Sequence, residues 1–336
     1  MKLERSLVIA LIISMVSLAL WENHVRKQGY IAAIDDDKAL WAVQRAKLEK
    51  LTASDVVVIG SSRSHFDIQL DEWEQETGRR PLMLSNDGTT PAPVLKDIVE
   101  NTQFSGTILI GVSPGLFFSE PSDSAWMWKR AQARIDHYYD RTWAQRINHK
   151  LSLPLERAFA FLNASEEYWA DDIDLKSMIS RIPMKTRLDD DYPPFYNFMH
   201  VDGDRNTYMF EKTVTDTAFA NTIKRVWMSG PEDGPPAPKE PVFRFYDDLL
   251  TQFRDRGGHV VFVRFPSSGD YRESENKHLP RNEYWEALLK ETNSIGYHFE
   301  DYPELSKYTI PEWSHLATPD AKIFTVDLIR IMRQDN

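Results

Sequence analysis

Two short stretches near opposite ends of the chain carry residue types suited to nucleophilic chemistry. The first is Gly60-Ser61-Ser62-Arg63-Ser64 and the second is Pro311-Glu312-Trp313-Ser314-His315-Leu316. A serine hydroxyl is a weak nucleophile until a base takes its proton. A histidine has the basicity for that task, and a carboxylate beside it orients the ring and stabilises its cation. Glu312 and His315 stand three apart, so one turn can supply both. Taken separately, the serines read as a turn that caps a helix, and His315 as a surface histidine. Arg63, and Arg264 at the end of a later strand, can each hold an anionic group bidentately. Arg63 reads equally well as a salt bridge that stabilises its own turn.

The elements around these stretches decide between such readings. Asp55-Val-Val-Val-Ile59 is continuous and β-branched, as expected of a strand buried on both faces of a parallel sheet, and it ends at Gly60. Pro81–Leu84 reads as a short second strand, 91–101 as a helix with proline near its start, and Gly106–Gly111 as a third strand. After the Pro-rich linker 231–241, the rhythm resumes. A helix is expected over 242–256, a strand over His259–Arg264, a helix over 280–292, a short edge strand over 296–300 and a closing helix over 318–333. Strand–helix–strand order predicts a parallel α/β sheet, and in such sheets ligands bind beyond the carboxyl ends of the strands. The first stretch falls there, directly after a buried strand, and the second lies in a loop just before the closing helix. Residues 119–230 have few strand-like runs and are expected to be a largely helical insertion. Its pairs Trp126–Trp128 and Tyr138–Tyr139 fit core packing better than sugar stacking.

This order of motifs resembles the SGNH/GDSL hydrolases, above all their exported, membrane-anchored relatives in cell-envelope and exopolysaccharide biosynthesis. The resemblance covers 52–118 and 242–336. It implies a three-layer, flavodoxin-like α/β domain with Ser62 as nucleophile, His315 as base and Glu312 as the orienting acid. It also implies an oxyanion site made by the Ser62 N–H, the Gly88 N–H and Ser113. Losing one such donor costs roughly 10²–10³ in rate. The implied substrate is an acyl ester, acetyl by analogy with the family, on a cell-surface carbohydrate, and an implied partner is an integral-membrane acyltransferase. The chain departs from the family twice. Gly111-Val112-Ser113-Pro114 stands where the family has G-x-N-D, and Glu312 stands where it usually has Asp. These departures keep open a second reading, a binding or assembly subunit of an envelope complex that retains the fold without the chemistry. A plain lipolytic esterase is a third.

Composition narrows the field further. Among 336 residues the formal net charge is −11, with no basic stripe, which argues against a nucleic-acid partner. The absence of cysteine removes disulfides, thiolate metal sites and cysteine nucleophiles. No phosphate-binding glycine loop or zinc-type histidine pair occurs, so neither cofactor nor metal is expected. The runs Asp35–Asp37 and Asp189–Asp191 read as solvated acids. At the N-terminus, Lys2 and Arg5 precede the uncharged run Leu7–Trp21, which spans roughly 22 Å as a helix. It reads as a signal anchor within 1–24, with a cleaved signal peptide as the alternative. The preceding basic residues predict that the body lies on the extracytoplasmic side. The charged segment 25–51 is expected to be a stalk.

Overall fold

Val57, Val58 and Ile59 are fully buried and point alternately to opposite faces of a sheet. In the computed structural model, which describes residues 3–162, 195–229 and 237–335, they belong to β1 (Val56–Ile59). The sheet also contains β2 (Leu82–Met83), β3 (Thr107–Gly111), β6 (His259–Arg264) and β7 (Ile295–His298). Its order is β2-β1-β3-β6-β7, and all four pairings are parallel. Val57, Ile59, Ile108, Ile110 and Phe262 face one core, closed by helices Ala92–Asn101, Lys239–Asp255 and Arg281–Glu291. Val58, Met83, Leu109 and Val263 face a second core, closed by helices Leu70–Thr77 and Thr318–Gln334. The strand order reverses between β1 and β3, which opens the crevice where ligands bind in sheets of this kind.

The region expected as a helical insertion contains helices Trp126–Asp140, Trp143–Ala158, Glu211–Thr215 and Thr217–Met228. It also contains an unexpected antiparallel hairpin, β4 (Met199–Val201) with β5 (Thr207–Met209). Much of it is not a separate body. Trp128 and Ile135 join the first core, and Trp128 packs edge-on to Phe245. Phe198, Met209, Phe219 and Ile223 close over Phe66, beside the first motif. The Asp189–Asp191 run and positions 231–236 of the linker lie outside the described residues.

Two expectations need correction. The stretch expected as a stalk contains helix Lys38–Arg45, whose Trp41 is fully buried in the first core and donates from its indole N–H to the Leu84 carbonyl at 3.2 Å. Leu40, Trp41, Gln44 and Arg45 form its buried stripe. Eight residues are too few for that period to stand out from the surrounding charge. Asp36 and Asp37 are likewise not a solvated acid run. Asp37 caps this helix by accepting from the Leu40 N–H at 2.8 Å. Asp36 is buried between Arg205 and Arg134.

The N-terminal segment is a single apolar helix, Leu3–Lys27, whose apolar window is not buried by the rest of the protein. Its 25 residues extend roughly 38 Å, long enough to cross a bilayer.

Candidate active site

Ser62 opens helix Ser62–Asp67, three residues after Ile59 ends β1. The tight exit requires glycine. A Cβ at Gly60, whose φ is +152°, would lie 2.2 Å from Ser64 Oγ and 3.1 Å from the Gly111 backbone. The helix is then tied to the loop after β2. Gly60 O accepts from the Asn86 N–H at 3.0 Å, Ser64 Oγ lies 2.8 Å from Ser85 Oγ, and His65 Nδ1 lies 3.0 Å from Asp87. Gly88 occupies the turn of that loop at a φ of +64°. Ser113, after β3, lies with its hydroxyl 2.5 Å from that of Ser61. One hydroxyl of the pair donates to the other, which leaves one O–H free for another acceptor.

The second motif arrives from the opposite side. His315 Nε2 is 2.7 Å from Ser62 Oγ, and His315 Nδ1 is 3.0 Å from Glu312 Oε1. That oxygen also accepts from the backbone N–H groups of His315 at 2.5 Å and Ser314 at 3.3 Å. The three side chains are thus joined in a chain with hydrogen-bond spacing at both steps, the arrangement that a nucleophile–base–acid relay requires. Glu312 and His315 are buried, while Ser62 is half-exposed. The turn between acid and base is strained. Trp313 has a φ of +78°, a conformation uncommon outside glycine, and its carbonyl accepts from the Ser268 N–H at 3.0 Å. Its indole lies over Gly269, where any Cβ would collide with it.

Three aromatic side chains that sequence reasoning missed complete the surroundings of His315. Phe66 stacks on the imidazole at 4.3 Å between centroids, and Phe198 and Trp227 each lie at 5.9 Å. Trp227 also donates its indole N–H to Glu312 Oε2 at 2.6 Å and to the Glu312 carbonyl at 2.9 Å. The insertion therefore holds the acid from behind. Trp227→Phe keeps the ring and removes this donor. A hydrogen bond to a charged group contributes about 1.5–3 kcal/mol, so kcat/KM toward an activated ester is expected to fall about 10- to 100-fold. Steady-state kinetics on a variant with an unchanged circular dichroism spectrum checks this.

Arg63 and Arg264, expected to hold a substrate anion, instead form a buried cluster on Glu275. Arg63 Nη1 is 2.7 Å and Arg264 Nη2 is 2.5 Å from its carboxylate, and Ser267 donates to it at 2.6 Å. Burial pushes the Glu275 pKa up, but Arg264 and Arg63 outweigh this and hold it below its ordinary value. Burial lowers Arg264 to about 9 despite Glu275. The charges of both arginines are committed inside the protein. Arg63 Nε reaches Ser314 Oγ at 3.3 Å, so the cluster ties the two motifs together.

Asp67, on the last turn of the Ser62 helix, is fully buried and accepts from the Leu316 N–H at 2.9 Å, while its Oδ2 has no hydrogen-bond partner among the described residues. Burial holds its pKa well above the ordinary carboxylate value. In the unfolded chain it ionises near pH ~3.9. The folded state therefore binds the extra proton above that pH, and the residue costs stability as pH rises toward the folded pKa. Asp67→Asn is expected to leave Tm nearly unchanged at about pH 4 and to raise it progressively toward neutrality. Paired thermal melts across that range check the trend, and a pH-independent difference contradicts it.

Asp36, His65 and Asp87 bring potential ligand atoms within 4.8 Å of one another. They belong to an ion network rather than a cation cage. Both Asp36 oxygens accept from Arg205, at 2.5 and 2.8 Å, and Arg134 lies 3.2 Å away. Burial pushes the Asp36 pKa up, and the two guanidinium groups overcome this and hold it far below the usual range. His65 Nε2 lies 2.7 Å from Thr207 Oγ1, so the network ties the hairpin to the Ser62 helix. Two cavities, of about 400 and 670 Å³, border residues 27–34 and the hairpin without touching Ser62.

No protein-family model matches this chain, and no curated protein matches its sequence. The chemistry must therefore be argued from the site itself.

Proposed function

We propose that this protein is a serine acyl-ester hydrolase or O-acyltransferase of the SGNH type, held at a membrane by its N-terminal helix. In this reading it acts on an acyl group, acetyl first among the candidates, carried by a cell-surface carbohydrate. The observation that carries the reading is the Ser62–His315–Glu312 relay, with contacts of 2.7 and 3.0 Å assembled from segments 253 residues apart. The sheet order supports a flavodoxin-like domain with the relay at the carboxyl ends of its strands.

Ser62 Oγ attacks the acyl carbonyl carbon as its proton passes to His315 Nε2. The developing oxyanion takes hydrogen bonds from the Ser62 and Gly88 N–H groups and from the Ser113 hydroxyl. Glu312 stabilises the imidazolium. Collapse breaks the ester bond, and the leaving alkoxide takes the proton from His315, leaving acyl-Ser62. Water or an acceptor hydroxyl then gives its proton to His315 and attacks the acyl carbon. Release of Ser62 returns that proton to Oγ. His315 thus takes and returns one proton in each half of this sequence. Glu22 and Arg26, near the end of the apolar helix, hydrogen-bond to residues 158–161 of the body. These contacts tie the end of the apolar helix to the body.

The test is to incubate the full-length protein in detergent with 4-nitrophenyl acetate and follow both nitrophenol release and intact mass. Acetyl-enzyme is expected on Ser62, and its decay should quicken when an acceptor sugar is added if transfer is the natural reaction. Folded protein that forms no acyl-enzyme with acetyl or longer esters favours the binding-subunit reading.

A further inference from the structure

Helix Trp143–Ala158 exposes apolar side chains in a pattern that no packing among the described residues uses. Trp143 is 76% exposed, Leu151 68% and Leu155 54%. At about 100° per residue, Trp143, Ile147, Leu151, Pro154 and Leu155 fall within one arc of about 120°. On the other side of the helix, His149 is buried and Leu153 packs against the small core of Ile34, Leu40 and Val201. Arg146, Lys150 and Arg157 gather along one margin of the apolar arc, within about 40°. The turn that follows exposes Phe159 and Leu162 as well. An apolar face with a basic margin is the form of a helix that lies in a lipid–water interface.

Continuity with the N-terminal helix fixes the occupant. Glu22 accepts from the N–H groups of Ala160 and Phe161 at 2.9 and 3.0 Å, and Arg26 donates to the Ala158 carbonyl at 3.0 Å. Glu22 follows Trp21, the aromatic residue at the end of the uncharged run, where interfacial anchors are found. The end of helix Trp143–Ala158 is thereby bolted to the anchor at the level where the chain leaves the hydrocarbon. We infer that helix Trp143–Ala158 lies in the surface of the same bilayer that helix Leu3–Lys27 enters, with its apolar arc among the acyl chains and its basic margin at anionic headgroups. The inference rests on the reading of helix Leu3–Lys27 as a membrane anchor. Two attachments, one crossing and one lying flat, would fix the tilt of the body and so the direction in which Ser62 faces.

The chain has no cysteine, so single reporters can be placed at will. Full-length Leu11→Cys, Leu151→Cys, Leu155→Cys and Arg330→Cys variants, each carrying a polarity-sensitive fluorophore, are reconstituted into phosphatidylcholine–phosphatidylglycerol vesicles. Leu11 reports the anchor. Arg330 is 60% exposed on the helix that closes the opposite face of the sheet and serves as the aqueous control. Lipids with spin labels about 5–10 Å below the headgroups are expected to quench the 151 and 155 reporters at least about two-fold more than the 330 reporter. Quenching at 11 without quenching at 151 and 155, with those two open to iodide, overturns the inference and leaves the anchor standing. No quenching at 11 removes the anchor and the inference together. Reporters at 151 and 155 shielded from both lipid and iodide, with self-quenching that rises with protein density, place a second copy on the arc and also overturn it.

Discussion

Replacing His315 with alanine is expected to reduce acyl transfer from an activated ester by about 10³-fold or more, with little change in KM. The imidazole is the only base within hydrogen-bond distance of Ser62 Oγ among the described residues. Without it the hydroxyl must lose its proton to water. Ser62→Ala is expected to be as damaging, and the double variant no worse than either single one, because the two residues act as a unit. Glu312→Gln probes the third member. The amide oxygen can still accept from the His315 and Ser314 N–H groups. The amide nitrogen then faces the Trp227 indole N–H, a donor set against a donor 2.6 Å away. The alternative amide orientation sets the nitrogen against those backbone donors instead. Either way the carboxylate charge that stabilises the imidazolium is gone, and a loss of about 10³–10⁴ is expected. Single-turnover rates for the four variants check the pattern, and full additivity of Ser62→Ala with His315→Ala contradicts it.

The largest expected loss of stability follows from Glu275→Gln. Its carboxylate neutralises two buried guanidinium groups, Arg63 and Arg264, which are 1% and 2% exposed. Removing one partner from a buried ionic cluster costs about 3–5 kcal/mol, because the charges left behind have neither water nor a counter-ion. Against a total stability of about 5–15 kcal/mol this is a large fraction. Tm is expected to fall by about 10 °C or more. Arg63 is adjacent to Ser62 and reaches Ser314, so acyl-enzyme formation should fall as well. The triple variant Arg63→Met, Arg264→Met, Glu275→Met removes the charges together with the need to balance them. It is expected to melt above Glu275→Gln. Thermal and denaturant unfolding of both variants decides this, and a triple variant that melts below the single one contradicts the electrostatic explanation.

What could be read beforehand depended on how far each signal extends along the chain. The strands β1, β3 and β6 were legible because a strand buried on both faces is written as an unbroken apolar run. The closing helix was legible from its long apolar stripe and from Pro319 in its first turn. Ser62, His315 and Glu312 could be singled out because each motif sits at the end of a strand or just before a helix, where a parallel sheet gathers its loops. The supporting residues left no such trace. Trp227 is one of ten tryptophans and comes from a helix 85 residues before Glu312, so only the folded chain pairs them. Arg63 and Arg264 were recognisable as charges at strand ends. Glu275, which claims them, lies in helix Gly269–His278, whose sequence GDYRESENKH has no apolar stripe to mark it as a helix. The helix at Trp41 was hidden for a related reason, since its buried face is only two turns long.

The relay is tested most directly by labelling the full-length protein in detergent with a fluorophosphonate, next to Ser62→Ala and His315→Ala. The expected result is one label per chain, on Ser62 by peptide mapping, with no label on Ser62→Ala and strongly slowed labelling of His315→Ala. Folded wild-type protein that stays unlabelled, or that carries its label on another serine, would contradict the assignment of Ser62 as an activated nucleophile.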